Sequence, residues 1–312
     1  MAQKFLNYDE QINKLINEKD LIVKDREYAI RMLKQISYFS LIGGYKNIFI
    51  NPTVKKYKRG VEFEEIVSLY RFDENLRSVF LKYILKFERK LHSVISYQFT
   101  STYGENQNYY LYKNNFSQTA NPKEVQKLIK MLYNLANKNS DYMYLNYHRK
   151  KYSNIPLWVL MNSLSLGTVS KFYQFSIPTI QSKVSMDFEN LNEKQIGQIL
   201  YVMTKFRNVC AHGERLFSYR TRDTICDLPA HKKLNIPKNG TEYINGKNDL
   251  FAIVISLKYV LENEDFLEFK NQIAKEINTL MNSTHSIGKA EILNYMGFPS
   301  NWQSLSRIKK LS

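Results

Sequence analysis

Apolar and polar residues alternate along most of this chain with the period of a helix. Between about 24 and 36, Ala29, Met32, Leu33 and Ile36 fall on one face, the spacing of an amphipathic helix. An irregular stretch follows, punctuated by Gly43-Gly44 and Pro52. A long, bent helical pattern is predicted over about 62–102: Ile66, Leu69, Tyr70 and Phe72 share one side of its first half, and Leu81, Ile84, Leu85, Leu91, Val94 and Ile95 continue it. Asn121-Pro122-Lys123-Glu124 opens the next helix, expected to run to about 139. Asn is a good N-cap, Pro suits the first helical position, and Glu124 is placed to reach back to the cap.

A polar, tyrosine-rich segment then leads to Pro156, after which LWVLMNSLSLGTVSKFYQF is again apolar at helical spacing. Helices are predicted at 178–188 and 192–216. Residues 217–248 hold Pro229, Pro237, Gly240 and Gly246 among many charges and show no sustained period. They read as a long surface excursion with a short hairpin around KNGTEYINGK, and loops of this length are usually functional or disordered. Helical patterns resume at about 249–262 and 264–282, with short ones near 288–296 and 300–309. No βαβ alternation and no internal repeat is visible, so the expected fold class is all-α.

Composition agrees with that reading, since 11 Gly and 7 Pro in 312 residues leave little room for turn-dense β architecture. The net charge of +16 biases the partner list toward polyanions, nucleic acid or an acidic membrane face; a solubility margin would explain it as well. The first residues, MAQKFLNYDEQINKL, contain no apolar core of a signal peptide. The apolar run LFAIVISLKYVL is interrupted by Lys258 and too short to span a bilayer. Cys210 and Cys226 form no CxxC pair, which argues against zinc and a disulfide framework. Both read as reduced thiols of a cytoplasmic protein, with no metal, cofactor or membrane association expected.

The chemistry concentrates in FRNVCAHGERLF, residues 206–217, which sets Arg207, Asn208, His212 and Arg215 in an otherwise apolar segment. On a helix Asn208 and His212 are i and i+4 and adjoin, while Arg207 and His212, five apart, point about 140° away from one another. One straight helix does not aim both at a small target. A curled arginine, a distorted helix or a second copy of the helix related by a two-fold axis would each resolve the mismatch. These residue types suit phosphodiester cleavage in RNA. An imidazole can take the 2′-hydroxyl proton or protonate the leaving 5′-oxygen, a guanidinium grips phosphate oxygens, and Asn208 can fix the imidazole or touch the phosphate. The same residues also suit a packed helix end, with Arg207 paired to Glu214 and Arg215 capping a carbonyl.

Other candidates carry less. Glu64-Glu65 and Asp73-Glu74 read as solvated or structural faces. His92, His148, His231 and His285 stand apart without metal-ligand spacing. Two clusters interleave basic residues with tyrosine as an RNA-binding surface does: Lys55, Lys56, Lys58 and Arg59 in KKYKRG, and Arg149, Lys150 and Lys151 in HRKKY. Arg215 joins them as a candidate phosphate contact; ordinary exposed loops would read the same way.

Over roughly residues 20–305 the chain resembles the Abi (abortive-infection) family of bacterial antiphage proteins, within the wider HEPN superfamily of helical ribonucleases. The blocks that carry the resemblance are ISYFSLIGGYKNIF, VEFEEIVSLYRFDENLR, LKFERKLHSVISYQF, KYSNIPLWVLMNSLSLGTVSKFY, FRNVCAHGERLF and YMGFPSNWQSL. The resemblance implies one all-α domain over 1–312, a HEPN-type helical bundle with additional N- and C-terminal helices. Its core would cover about 62–285, with the irregular 217–248 as an insertion. It further implies a metal-independent endoribonuclease whose Arg-x4-His motif, here Arg207 and His212 with Asn208 as the following polar residue, works at a homodimer interface. An antitoxin or a small regulatory RNA would be the controlling partner. A non-catalytic RNA-binding module and a helical scaffold are the competing functions. The chain departs from the family pattern at Phe39-Ser40, where an arginine is frequent, at Asn162, where a glutamate is frequent, and at Ser218, where an asparagine is frequent.

Overall fold

A computed structural model describes residues 5–188 and 191–308. The chain is predominantly helical, as its periodicity predicts. Helices α1 (Tyr8–Asn17) and α2 (Arg26–Ile36) precede a π-helical turn at Phe39–Gly43 and a short 3-10 turn. Next come α3 (Phe63–Tyr103), α4 (Gln107–Leu111), α5 (Pro122–Asn137), α6 (Met143–Tyr152), α7 (Leu157–Leu160) and α8 (Leu166–Phe175). The second half holds α9 (Pro178–Met186), α10 (Glu193–Ala211), α11 (Pro229–Lys233), α12 (Leu250–Val260), α13 (Asn263–Ser283) and α14 (Lys289–Met296). A two-residue antiparallel ladder, Lys238–Asn239 with Glu242–Tyr243, forms the hairpin expected in KNGTEYINGK.

The axis of the molecule is α3, 41 uninterrupted residues and about 60 Å long at helical rise. It packs against α7, α9, α10, α12 and α13. Its inward stripe runs Ile66, Leu69, Asp73, Leu76, Phe80, Ile84, Phe87, Leu91, Ile95, all buried. Every residue of α12 is buried, which is why its sequence is apolar on all sides: a helix surrounded by others has no polar face. Among the described residues no helix is long and apolar enough to cross a membrane.

Several boundaries differ from the pattern-based expectation. Helix α1 and helix α6, the latter inside the polar, tyrosine-rich segment, carry too few apolar positions to announce themselves. Helix α6 is instead tied down by Arg149, which donates to the carbonyls of Leu135 and Ala136 and so caps the orphan carbonyls ending α5. At the start of α5, Asn121 accepts from the Lys123 and Glu124 backbones as expected. Glu124 turns away from the cap toward Lys127 and Lys171. Residues 217–248 are a packed segment rather than a surface excursion: Ile225, Leu228, Ala230, His231, Leu234 and Ile236 are all buried. The helix predicted at 300–309 is a 3-10 turn at Trp302–Arg307, and position 309 lies outside the described residues.

Two acidic residues are buried anchors, one of them Glu65 of the Glu64-Glu65 pair read from the sequence as a solvated or structural face. Glu65 accepts from the His285 and Ser286 backbones, and Asp249 caps α12 while pairing with Arg220. Gly297, in the block YMGFP, ends α14 with φ +77, and a Cβ there would stand 2.2 Å from the Asp249 Oδ2. Only glycine fits both demands.

Candidate active site at the C-terminal end of α10

The helix bearing FRNVCAHGERLF stops at Ala211, five residues earlier than its apolar period suggests, and His212 is its C-cap. The stop has a local cause. Gly213 adopts φ +69, its N–H reaches the Cys210 carbonyl, and the Glu214 N–H reaches the Val209 carbonyl. This is a Schellman termination, which uses glycine for its left-handed residue. The His212 N–H closes on the Asn208 carbonyl at 2.9 Å. No bond joins the Asn208 side chain to the imidazole, and both residues are exposed.

The chain leaving this cap is bolted to α3. Asp73, completely buried, accepts from the Leu216 N–H at 2.9 Å and the Phe217 N–H at 2.6 Å. It also accepts from the Tyr45 hydroxyl at 2.8 Å and from Arg77 at 2.9 Å. Arg77 reaches on to the Glu214 carbonyl. Burial raises the Asp73 carboxyl above the ordinary range, opposed by these donors and by Arg77. Arg215 donates to the Gly44 carbonyl, and Tyr45 stacks on Phe217. Arg215, a candidate phosphate contact from sequence, thus carries a carbonyl-capping bond.

Arg207 faces the other way, onto α3. Its Nε lies 3.9 Å from the Glu88 Oε2, and the Glu88 Oε1 lies 3.8 Å from the His92 Nε2. Both distances are too long for hydrogen bonds. Arg207 Nε, Glu88 Oε2 and His92 Nε2 are buried and have no hydrogen-bond partner in the protein, a cluster of a kind native interiors seldom leave. Burial raises the Glu88 carboxyl, opposed by Arg207 and by the Leu166 N–H at the start of α8. Burial lowers the His92 imidazole to about 4, so it is neutral at physiological pH. The cation of this cluster is Arg207 alone, and no described protein group accepts a hydrogen bond from its guanidinium.

Sequence reading did not single out Glu88 or, as a partner of the motif, His92. The signal was present: Ile84, Phe87, Glu88, Leu91, His92 and Ile95 share the buried stripe of α3. A carboxylate and an imidazole at core positions call for a reason. The same turn of the site includes Ser165, whose hydroxyl accepts from the Thr168 N–H to cap α8. Gly167, also in the SLSLG block, lets α8 approach Thr204 of α10: a Cβ there would stand 3.3 Å from the threonine methyl.

The proposed RNA contacts are dispersed. Lys56 pairs with Asp20 at 3.0 Å and Lys58 with Glu291 at 2.8 Å, while Lys55 and Arg59 are exposed. Arg149 has its guanidinium turned to α5, Lys150 is exposed, and Lys151 lies over the Tyr147 and Tyr152 rings. Of the departures from the family pattern, Phe39 is exposed on its π-helical turn, Asn162 donates to the Trp158 carbonyl, and Ser218 is half-buried beside the Asp73 anchor. Both cysteines are free. Among the described residues no three His, Cys, Asp or Glu side chains converge as a metal site would require.

The family model of Abi-like proteins matches residues 31–218. That span begins within α2 and ends just past the motif. No curated protein and no solved structure matches the chain.

Proposed function

Because the chain belongs to the Abi-like protein family, we propose that it is an effector of abortive infection that cleaves RNA, built on a HEPN-type bundle and working as a homodimer. The observation that carries the reading is the arginine. Arg207 sits against a buried carboxylate with every N–H unspent, one turn before an exposed histidine that caps the same helix. Glu88 holds the buried Nε side of the guanidinium by charge, so its terminal N–H groups remain available to a phosphate, which a guanidinium grips bidentately.

In the proposed reaction the His212 imidazole takes the 2′-hydroxyl proton of the RNA. The 2′-oxygen attacks the adjacent phosphorus, and the bond to the 5′-oxygen breaks. Arg207 stabilises the charge that accumulates on the non-bridging oxygens. The His212 of a second copy delivers a proton to the leaving 5′-oxygen. The products are a 2′,3′-cyclic phosphate and a 5′-hydroxyl, and DNA, lacking the attacking group, survives. Doubling also resolves the angular mismatch, since each copy's Arg207 and His212 diverge on their own helix. RNA is the substrate in this reading, and an antitoxin or small RNA its natural restraint.

The test is cleavage of a labelled single-stranded RNA by the purified protein and by His212→Ala, with helicity and oligomeric state followed alongside. Loss of a general acid–base group costs about 10²–10⁴-fold. Undiminished cleavage by a clean His212→Ala preparation sinks the mechanism. Glu88→Gln separates positioning from fold: it should weaken the grip on Arg207 and lower kcat while the helical signal stays at the parent level.

A further inference from the structure

A second site lies away from α10, where α1, the turn after α2 and the loop 50–57 enclose a cavity of about 370 Å³. We propose that it binds a phosphorylated nucleotide, either free or at the end of an RNA chain. Its floor is apolar, supplied by Leu15, Ile42 and Ile50, and the Tyr38 and Tyr57 rings form part of its wall. Three lysines, Lys19, Lys46 and Lys55, join Asn47 and Pro52 in the rest of the lining, which holds no carboxylate. Among the described residues none of the three has an ion-pair partner, although Lys56 and Lys58 beside them do. Unpaired ammonium groups around an apolar floor suit a ligand with an anionic head and a flat, weakly polar body. The volume accommodates one nucleotide and is too small for a two-chain lipid. The Tyr57 hydroxyl, buried in the same wall, has no partner in the protein.

The backbone of Lys55 makes the case specific. Its φ is +58, the left-handed region where glycine or asparagine is expected and a lysine is strained. The loop is built to hold it there. The Lys55 N–H bonds the Asn51 carbonyl, and Asn51 in turn accepts from the Thr53 backbone. The Asn51 N–H bonds Lys56, and Ile50 bridges to Tyr57. A residue kept in a strained conformation at the rim of a cavity points to use of its side chain. The backbone just before Lys46 is held as well, since Gly44 and Tyr45 are anchored by Arg215 and Asp73.

The test is calorimetric titration of the full chain with ATP, GTP, pyrophosphate, lysophosphatidic acid and a 5′-triphosphorylated oligonucleotide. The expected result is saturable binding of nucleoside triphosphates or of the oligonucleotide, pyrophosphate being weaker by about tenfold or more for want of a base. Binding of the oligonucleotide alone assigns the source as an RNA end. Lys19→Ala and Lys46→Ala should each lower affinity about tenfold, the worth of a charged hydrogen bond. Lys55→Gly is the separating variant: relief of strain should hold or raise Tm while affinity falls. No saturable binding, pyrophosphate or lysophosphatidic acid binding as tightly as nucleotides, or unchanged affinity in all three lysine variants overturns the proposal. Because none of these residues touches Arg207 or His212, the outcome is independent of the cleavage reaction.

Discussion

Asp73→Asn removes one charge from the most densely bonded buried side chain beside the candidate site. The carboxylate accepts four hydrogen bonds, two from the backbone that follows His212, one from Tyr45 and one from Arg77. An amide has one oxygen, so in either orientation its NH2 meets a donor. With the NH2 at the Oδ1 position the Phe217 N–H is orphaned; in the other orientation the Leu216 N–H, Tyr45 and Arg77 all lose their acceptor. A buried donor left without a partner costs about 1–3 kcal/mol. Arg77, only 8% exposed at its side chain, would also lose its counter-charge, and breaking a buried pair costs roughly 3–5 kcal/mol. The two costs overlap, because Arg77 keeps the Glu214 carbonyl and the Tyr70 ring. The expected destabilisation is therefore about 3–5 kcal/mol, a fall in Tm of roughly 5–8 °C for a chain of this size.

Urea unfolding followed by circular dichroism measures it. Repeating Asp73→Asn in an Arg77→Leu background should recover about 1–2 kcal/mol, since the stranded charge is then absent. Under the proposed function RNA cleavage should fall as well, because the anchored segment follows directly on His212. A loss below about 1 kcal/mol with no coupling to Arg77 would refute the view that this carboxylate holds the end of α10 to α3.

Two glycines offer a controlled comparison. Gly213 and Gly297 have similar positive φ, but a Cβ at Gly213 meets nothing within 4 Å whereas at Gly297 it strikes Asp249. Gly213→Ala should cost about 1 kcal/mol of strain, and Gly297→Ala about 3 kcal/mol once the α12 cap is displaced; equal losses in chemical denaturation would contradict the contact argument. His92 gives a pH signature. Its folded value of about 4 lies below its ordinary 6.5, so the unfolded chain binds the proton more tightly. Its contribution to stability is complete above pH 6.5 and is lost as pH falls toward 4. The loss at pH 5 is about 2 kcal/mol, partly offset by the raised Glu88 carboxyl. In His92→Gln, urea midpoints at pH 7 and pH 5 should lie closer together than in the parent.

What was legible in the sequence, and what was not, follows the range of the forces involved. Helical period and capping are local, so α2, α3, α5, α9, α12, α13 and α14 could be placed within a few residues. Helix α6 could not, because its stability comes from Arg149 reaching carbonyls of another helix. The overrun of α10 was avoidable, since Gly213 carries the stop signal in its own sequence. Apolar residues continue past it because Leu216 and Phe217 are buried through tertiary packing rather than through helix continuation. Arg207 and His212 were visible as residue types. The partner of Arg207 was not, because Glu88 lies on a different helix and only the fold brings them together.

The six sequence blocks acquire a common physical reason once folded. Tyr45 of the first block and Asp73 of the second meet the backbone after His212. Glu88 of the third faces Arg207 and receives the first N–H of α8 from the fourth. Tyr295 of the last stacks on Phe217 of the motif block. Blocks scattered along the chain thus meet at the last turns of α10, at the backbone that follows it and at the facing stretch of α3. A helix end needed only for packing would be served by apolar contacts, which are cheaper to maintain than a buried Asp73–Arg77 pair and a half-satisfied Glu88–His92–Arg207 cluster. The Asp73–Arg77 pair holds the backbone that follows His212, and the Glu88–His92–Arg207 cluster lies on the side of α10 that faces α3.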